Sequence, residues 1–285
     1  MITLVAEEGA PPPQFTYWDV HPLHVGAESL FIGNGDISNG KGATGHLGFS
    51  KNMAFVSLLV PVCRTIIFIP RFEYNALYLH WNHNPRFSQT NFNYFKAGLT
   101  LFTNELDRWE WIVRADYNFD TAHFTNSNYG LFSALLWGKY QLFRKWHYHV
   151  GGVGYVGLEG GMFYPIIGFD YAPNKKWEFK AIFPIIYSIQ YKLGKYWHFA
   201  LIGRPLKERF RVNNHQHDPS SVFSYSTIGT ELNIRYEIPR RLEVVLFGGC
   251  NFGGNYYIKD RKGHNPLYTN VGAAPYIGAK LDWGI

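Results

Sequence analysis

Residues Trp109–Asp120 read Trp-Glu-Trp-Ile-Val-Arg-Ala-Asp-Tyr-Asn-Phe-Asp. Trp109, Trp111, Val113, Ala115, Tyr117 and Phe119 fall on one face. Glu110, Arg114, Asp116, Asn118 and Asp120 fall on the other. Alternation with period 2 specifies a strand with one apolar and one wet face. Residues 228–238 repeat the pattern, with Leu232, Ile234, Tyr236 and Ile238 against Glu231, Asn233, Arg235 and Glu237. A soluble sandwich would turn the apolar faces inward. A transmembrane barrel turns them to lipid and the charged faces to its lumen.

Composition favours the barrel. Of 285 residues 18% are aromatic, which suits the interfacial girdles of a membrane barrel, and 29 are glycine, which curved sheets use at bends. No apolar run approaches the roughly 18 residues that a membrane helix needs. A helical membrane protein is thereby excluded, and a soluble β-barrel or sandwich is the remaining competitor. The net charge of +6 sits largely in short turns, so no nucleic-acid partner is expected. Cys63 and Cys250 are too few for a disulfide framework and read as small apolar residues, Cys250 beside Leu246 and Phe252.

The segment 1–22, with Pro11-Pro12-Pro13, reads as an extended arm or signal remnant, ahead of one barrel domain at 23–285. Strands are expected near 23–32, 46–62, 65–80, 92–105, 109–120, 129–143, 146–158, 162–172, 176–184, 186–193, 196–212, 225–238, 241–258 and 268–285. The glycine- and asparagine-rich stretch 33–45 reads as a loop. Short, often basic turns at 106–108, 144–145, 173–175, 194–195 and 239–240 alternate with mostly longer polar connections at 82–91, 121–128, 213–224 and 259–266. That alternation is the mark of an up-and-down antiparallel barrel. Parity gives 14 strands if the chain reverses at Phe183-Pro184-Ile185, with 12 as the alternative.

The final residues alternate to the end, with Ile277, Ala279, Leu281, Trp283 and Ile285 apolar. In a soluble protein so long an apolar edge would aggregate, whereas barrel closure removes the edge. Such a strand resembles the C-terminal signature that outer-membrane barrels present to the insertion machinery, although Ile285 stands where an aromatic residue is usual.

From about residue 23 onward the chain resembles uncharacterised outer-membrane β-barrel proteins of the chlamydial type. The resemblance rests on the strand register, on Gly168-Phe169-Asp170-Tyr171 with Asn174-Lys175-Lys176-Trp177-Glu178-Phe179, and on Phe183-Pro184. It implies a barrel in the bacterial outer membrane, surrounded by lipid, and carries no assigned activity and no functional residue.

Function rests on the polar phase of the strands. Arg71, Glu73, Glu110, Arg114, Asp116, Glu178, Lys180, Glu231, Arg235 and Glu237 are the candidate pore-lining residues, accompanied by Lys96, Lys192, Arg204, Glu243, Lys280 and Asp282. They suit either a wet pore, giving a porin-like passive channel for small hydrophilic solutes, or ion-pair ladders in the closed lumen of a structural or adhesive barrel. The pairs His80/His83, His147/His149 and His215/His217 with Asp218 lack a third ligand, so no metal or other cofactor is expected. A membrane hydrolase has only scattered serines (Ser57, Ser133, Ser188, Ser226) and no nucleophile elbow, so no catalytic residue is expected. Oligomeric state is open.

Overall fold

The computed structural model describes residues 22–38, 45–82, 89–121, 130–158, 160–212, 222–238, 241–259 and 267–285. All but the last residue of the expected arm at 1–22, most of each long connection, the 239–240 turn, and His83, His215, His217 and Asp218 lie outside them.

Fourteen antiparallel strands close into one barrel. They are β1 Leu23–Ser38, β2 Gly45–Leu58, β3 Ile66–Trp81, β4 Asn91–Thr103, β5 Trp109–Asp120, β6 Leu131–Phe143 and β7 Trp146–Gly157. There follow β8 Gly160–Tyr171, β9 Trp177–Phe183, β10 Ile186–Leu193, β11 Trp197–Arg211, β12 Val222–Ile238, β13 Leu242–Lys259, and β14 in two pieces, Leu267–Val271 and Ala274–Gly284. A two-residue piece, Val60–Pro61, extends the β2 side of β3. Each strand pairs with the next. Closure comes from β1 against β14, in register from His24↔Gly284 to Ile32↔Tyr276.

The short turns gather at one rim, the turn end, and the long connections at the other, the loop end. The alternating residues obey the pleat. On β5 Val113 and Tyr117 are exposed outward while Asp116 is buried within. On β12 Leu232 and Ile234 point out while Glu231 and Asn233 are buried. At the turn end the outer face carries an aromatic girdle. Trp109 stacks on Trp111 and meets Tyr140, Trp146 stacks on Tyr171, Trp177 meets Tyr191, and Trp197 meets Tyr236, at ring separations of 4.4–5.0 Å. Their amphipathic rings match the interface of a membrane.

Two boundaries differ from the sequence expectation. Residues 33–38 continue β1 instead of forming a loop. A bulge between Ile32 and Gly35 absorbs the polar, glycine-rich stretch, after which Gly35, Asp36 and Ile37 pair with Leu47, His46 and Gly45. Residues 222–224, expected as the end of the 213–224 connection, begin β12 and pair with Lys259, Ile258 and Tyr257.

That β1 bulge belongs to a crease running over four neighbouring strands. The β12–β13 register shifts between Thr227 and Gly229, and Gly253 on β13 adopts φ +84°, a conformation that favours glycine. β14 breaks at Gly272-Ala273, where the Gly272 amide donates to the Asp36 carbonyl at 2.7 Å. Asn251, wholly buried, spans the crease: its Oδ1 accepts from the Ala274 amide at 2.9 Å. Bulges bend strands and tighten their twist. Two bulges, in β1 and β13, and the break in β14 thus lie at one level of this wall.

Candidate functional site

The interior has two unlike halves. The turn-end half is charged. Glu73 on β3 receives Arg71 at 2.6 Å, Lys96 at 3.4 Å and Arg114 at 3.9 Å. Arg114 also holds Asp116 at 2.8 Å, and the Ser133 hydroxyl donates to Asp116. Lys180 and Lys192 share Glu178, Arg235 and Lys280 share Glu243, and Lys139 approaches Glu110 at 3.7 Å. His149 sits 3.1 Å from Asp170 and accepts from the Trp137 indole. His198 lies 3.8 Å from Glu237, and Arg204 holds the buried Glu231 at 3.0 Å. These pairs run along the wall, within one strand or between strands one or two apart. Alternation places the charges on one face, and antiparallel register puts opposite signs side by side.

All ten candidate pore residues therefore lie on this inner face, nine of them in ion pairs and Glu237 beside His198. Arg235 stands three residues from the turn end of β12, far from any mid-strand constriction. Ser188 and His198 lie on neighbouring strands but do not face each other. Ser188 faces Ile202 across β10–β11 and accepts from Gln190, while His198 faces Lys192. Among the described residues no group of three or more His, Cys, Asp or Glu side chains is placed to hold a metal ion. Cys63 lies exposed in the β2–β3 turn, Cys250 is exposed on β13, and both thiols are free.

The loop-end half is apolar and closed. Leu30, Ile32, Phe49, Leu77, Leu79 and Phe92 from β1–β4 pack against Phe210, Phe223, Tyr225, Val245, Tyr256 and Tyr276 from β11–β14. Rings meet across the lumen: Phe49 and Tyr225 at 5.1 Å, Phe92 and Phe210 at 5.1 Å, Trp81 and Phe223 at 5.8 Å. Lys51 on β2 reaches Glu208 on β11 at 2.6 Å. A wall strand exposes every second residue, but Val222, Phe223, Ser224 and Tyr225 are 0, 1, 0 and 2% exposed in succession. Phe210, Arg211 and Val212 are likewise all buried. The loop end of the β11–β12 hairpin is thus a blade inside the barrel, covered on both faces.

The wall has a notch where this blade leaves it. β9 has only 7 residues and β10 only 8. At ~3.3 Å per residue and a tilt of ~40°, their tip stands roughly 18 Å above the turns, within an apolar band of about 25 Å. β8 pairs with β9 only from Ile167 to Tyr171, and β11 with β10 only from Trp197 to Gly203. Above the tip β8 and β11 face each other without a strand between them. Pro165 and Pro205 occupy those two facing segments, where an absent ladder tolerates a residue lacking N–H. Side chains bridge the notch. Lys207 Nζ donates to the Tyr164 hydroxyl at 2.7 Å, and Arg211 Nη2 donates to the Leu158 carbonyl at 2.6 Å. Lys207, Arg209 and Arg211 lie on the β11 face that alternation alone would give to lipid. Three cations there were a legible sign that this face does not meet lipid.

The chain matches a family described as Domain of unknown function (DUF6268) over residues 107–284. An uncharacterized protein of Chlamydia pneumoniae is 25% identical over 194 residues, covering 67% of this chain and 61% of the relative. A second, of Chlamydia trachomatis, is 22% identical over 193 residues and covers 67% and 60%. The chain thus spans about three fifths of the length of these relatives. Among solved structures, an outer membrane channel from Pseudomonas putida F1 superposes with a TM-score of 0.52 at 7% identity, covering 97% of this chain and 99% of that one. That likeness is one of fold.

Proposed function

The chain belongs to the DUF6268 family, and from that premise we propose that it is a channel of the bacterial outer membrane for small solutes, held closed at its loop end by the β11–β12 blade. One observation carries the reading: the contacts that join opposite walls are at the loop end, whereas the turn-end ion pairs cited above lie along the wall. Ladders along the wall leave the axis to water, and a 14-stranded barrel is wide enough for it. The turn end faces the periplasm and the loop end the exterior, as short turns and long connections are arranged in such barrels. The C-terminal strand, which closes on β1, is the segment offered to the insertion machinery.

Both signs line the mouth of this vestibule, so its ion preference is weak. Purified protein in a planar bilayer should give discrete conductance steps with a low open fraction. A correctly folded barrel that never conducts would favour the other reading, a structural surface barrel, which the apolar closure supports.

A further inference from the structure

Where β14 closes on β1, strand register sets Ala279, Ser29, Asn52 and Ala76 in one outward row across β14, β1, β2 and β3. Ser29 and Asn52 are exposed, and so are Ala27 and Ala54 in the row on their turn-end side. The Ser29 hydroxyl donates to Asn52 Oδ1 at 2.8 Å. The Asn52 amide nitrogen has no hydrogen-bond partner among the described residues. Ala279 lies four residues along β14 from Trp283, near the turn end. At ~3.3 Å per residue and a tilt of ~40°, the row runs roughly 10–20 Å above the turn-end interface, inside an apolar band of about 25 Å. Hydrocarbon holds no water to satisfy the donors of an amide, so an outward asparagine at this depth is costly unless protein covers it.

We infer that this outer face joins two copies of the chain about a two-fold axis. The amide selects a copy over another partner. Asn52 has a free donor and a second acceptor lone pair, so two asparagines facing each other are mutually satisfied, each Nδ2 donating to the other's Oδ1. Alanines around them let the two walls approach closely. Larger exposed side chains flank this small centre: Ile277 and Leu281 on β14, Phe31 on β1 and Tyr74 on β3. Small residues at the middle and large ones at the sides offset the curvature of the wall and leave a face on which a second wall can lie flat. Four strands at ~4.8 Å spacing and about 25 Å of height give roughly 500 Å² per copy, or about 1,000 Å² in all, which reaches the size of a specific interface. The inference needs the barrel to stand in a membrane and does not need it to conduct.

The test follows association of the whole chain in two media. Sedimentation equilibrium in density-matched detergent gives the mass. Donor and acceptor dyes on Cys63, exposed in the β2–β3 turn, report energy transfer between barrels in phosphatidylcholine vesicles diluted with lipid, in a Cys250→Ser background. The parent should have the mass of two chains and keep its energy transfer on dilution. Asn52→Leu, a side chain suited to lipid, should weaken association at least tenfold, and Ala54→Trp should abolish it by holding the walls apart. Leu136→Trp, on the outward face of β6, should leave it unchanged. A circular-dichroism spectrum of intact β-sheet qualifies each variant. The inference is overturned if the parent is a monomer in both media, or if the mass is that of three or more chains. It is equally overturned if folded Asn52→Leu or Ala54→Trp associates like the parent, or if Leu136→Trp weakens association as much as Ala54→Trp. Conductance, measured separately, decides the channel reading whichever way association falls.

Discussion

Lys51 and Glu208 meet at 2.6 Å although their strands, β2 and β11, stand five positions apart around the ring. A wall strand cannot span that distance, so the contact exists only because the end of β11 has turned into the lumen. It lies beside Phe92, Tyr94 and Phe210, whose rings make the same crossing. The closure is therefore an apolar core that includes the Lys51–Glu208 ion pair, built from strand ends that sequence order keeps far apart.

Loosening that core should cost stability and open the path together. Phe210→Ala and Phe223→Ala each remove a buried ring, with an expected loss of about 3–5 kcal/mol in urea unfolding. In planar bilayers the same variants should raise the open fraction. Loss of stability without any rise would detach the core from the gate.

The two faces of one strand should respond differently. Leu232→Arg puts a charge on the outward face of β12 and should destabilise by about 2–4 kcal/mol near mid-membrane. Asn233→Ala removes an inward amide that donates to Glu231 at 3.3 Å and should cost about 1 kcal/mol. Equal costs in reconstituted unfolding would mean that Leu232 does not face lipid.

Strand alternation was the legible part. Trp109–Asp120 and the last residues through Ile285 announce outward and inward faces, because pleat and lipid impose the same period. The reversal at Pro184 was legible too, since proline interrupts the ladder. The blade was not. Val222, Phe223, Ser224 and Tyr225 show no period because both faces are covered, and their partners Phe49 and Trp81 lie more than a hundred residues away in the chain. Gly33 and Asn34 read as a loop because a bulge uses the same residues as a turn. The inner face was expected to be polar throughout, yet Leu77 and Leu79 continue the register of Arg71 and Glu73 into the apolar core.

Glu231 should show the cost of an orphaned partner. Arg204→Met strands the buried Glu231 in the wall and should destabilise by about 3–5 kcal/mol, whereas adding Glu231→Leu should recover most of the loss. Chemical denaturation of the single and double variants measures this. If the double variant is no better than the single, the pair is not the reason for the loss.

Orientation can be read from the native thiol at Cys63. It is exposed in the β2–β3 turn, where the Thr65 hydroxyl and amide hold its pKa below that of an ordinary thiol. The reactive thiolate fraction at neutral pH should thus exceed that of an ordinary thiol and fall as the pH drops. A membrane-impermeant maleimide should leave Cys63 unlabelled in intact cells and label it once the outer membrane is permeabilised. Labelling of intact cells would reverse the assigned sidedness.

The most direct measurement of the central claim is single-channel conductance with the blade tied down. Lys51→Cys and Glu208→Cys, in a background with Cys63→Ser and Cys250→Ser, place two thiols where the lumen is crossed. Bridged by a short bis-methanethiosulfonate, which forms a disulfide to each thiol with loss of methanesulfinate, the barrel should fall silent, and reduction should restore its conductance steps. Steps that persist unchanged through bridging would contradict a path gated by the β11–β12 blade, and silence in both states would contradict the channel itself.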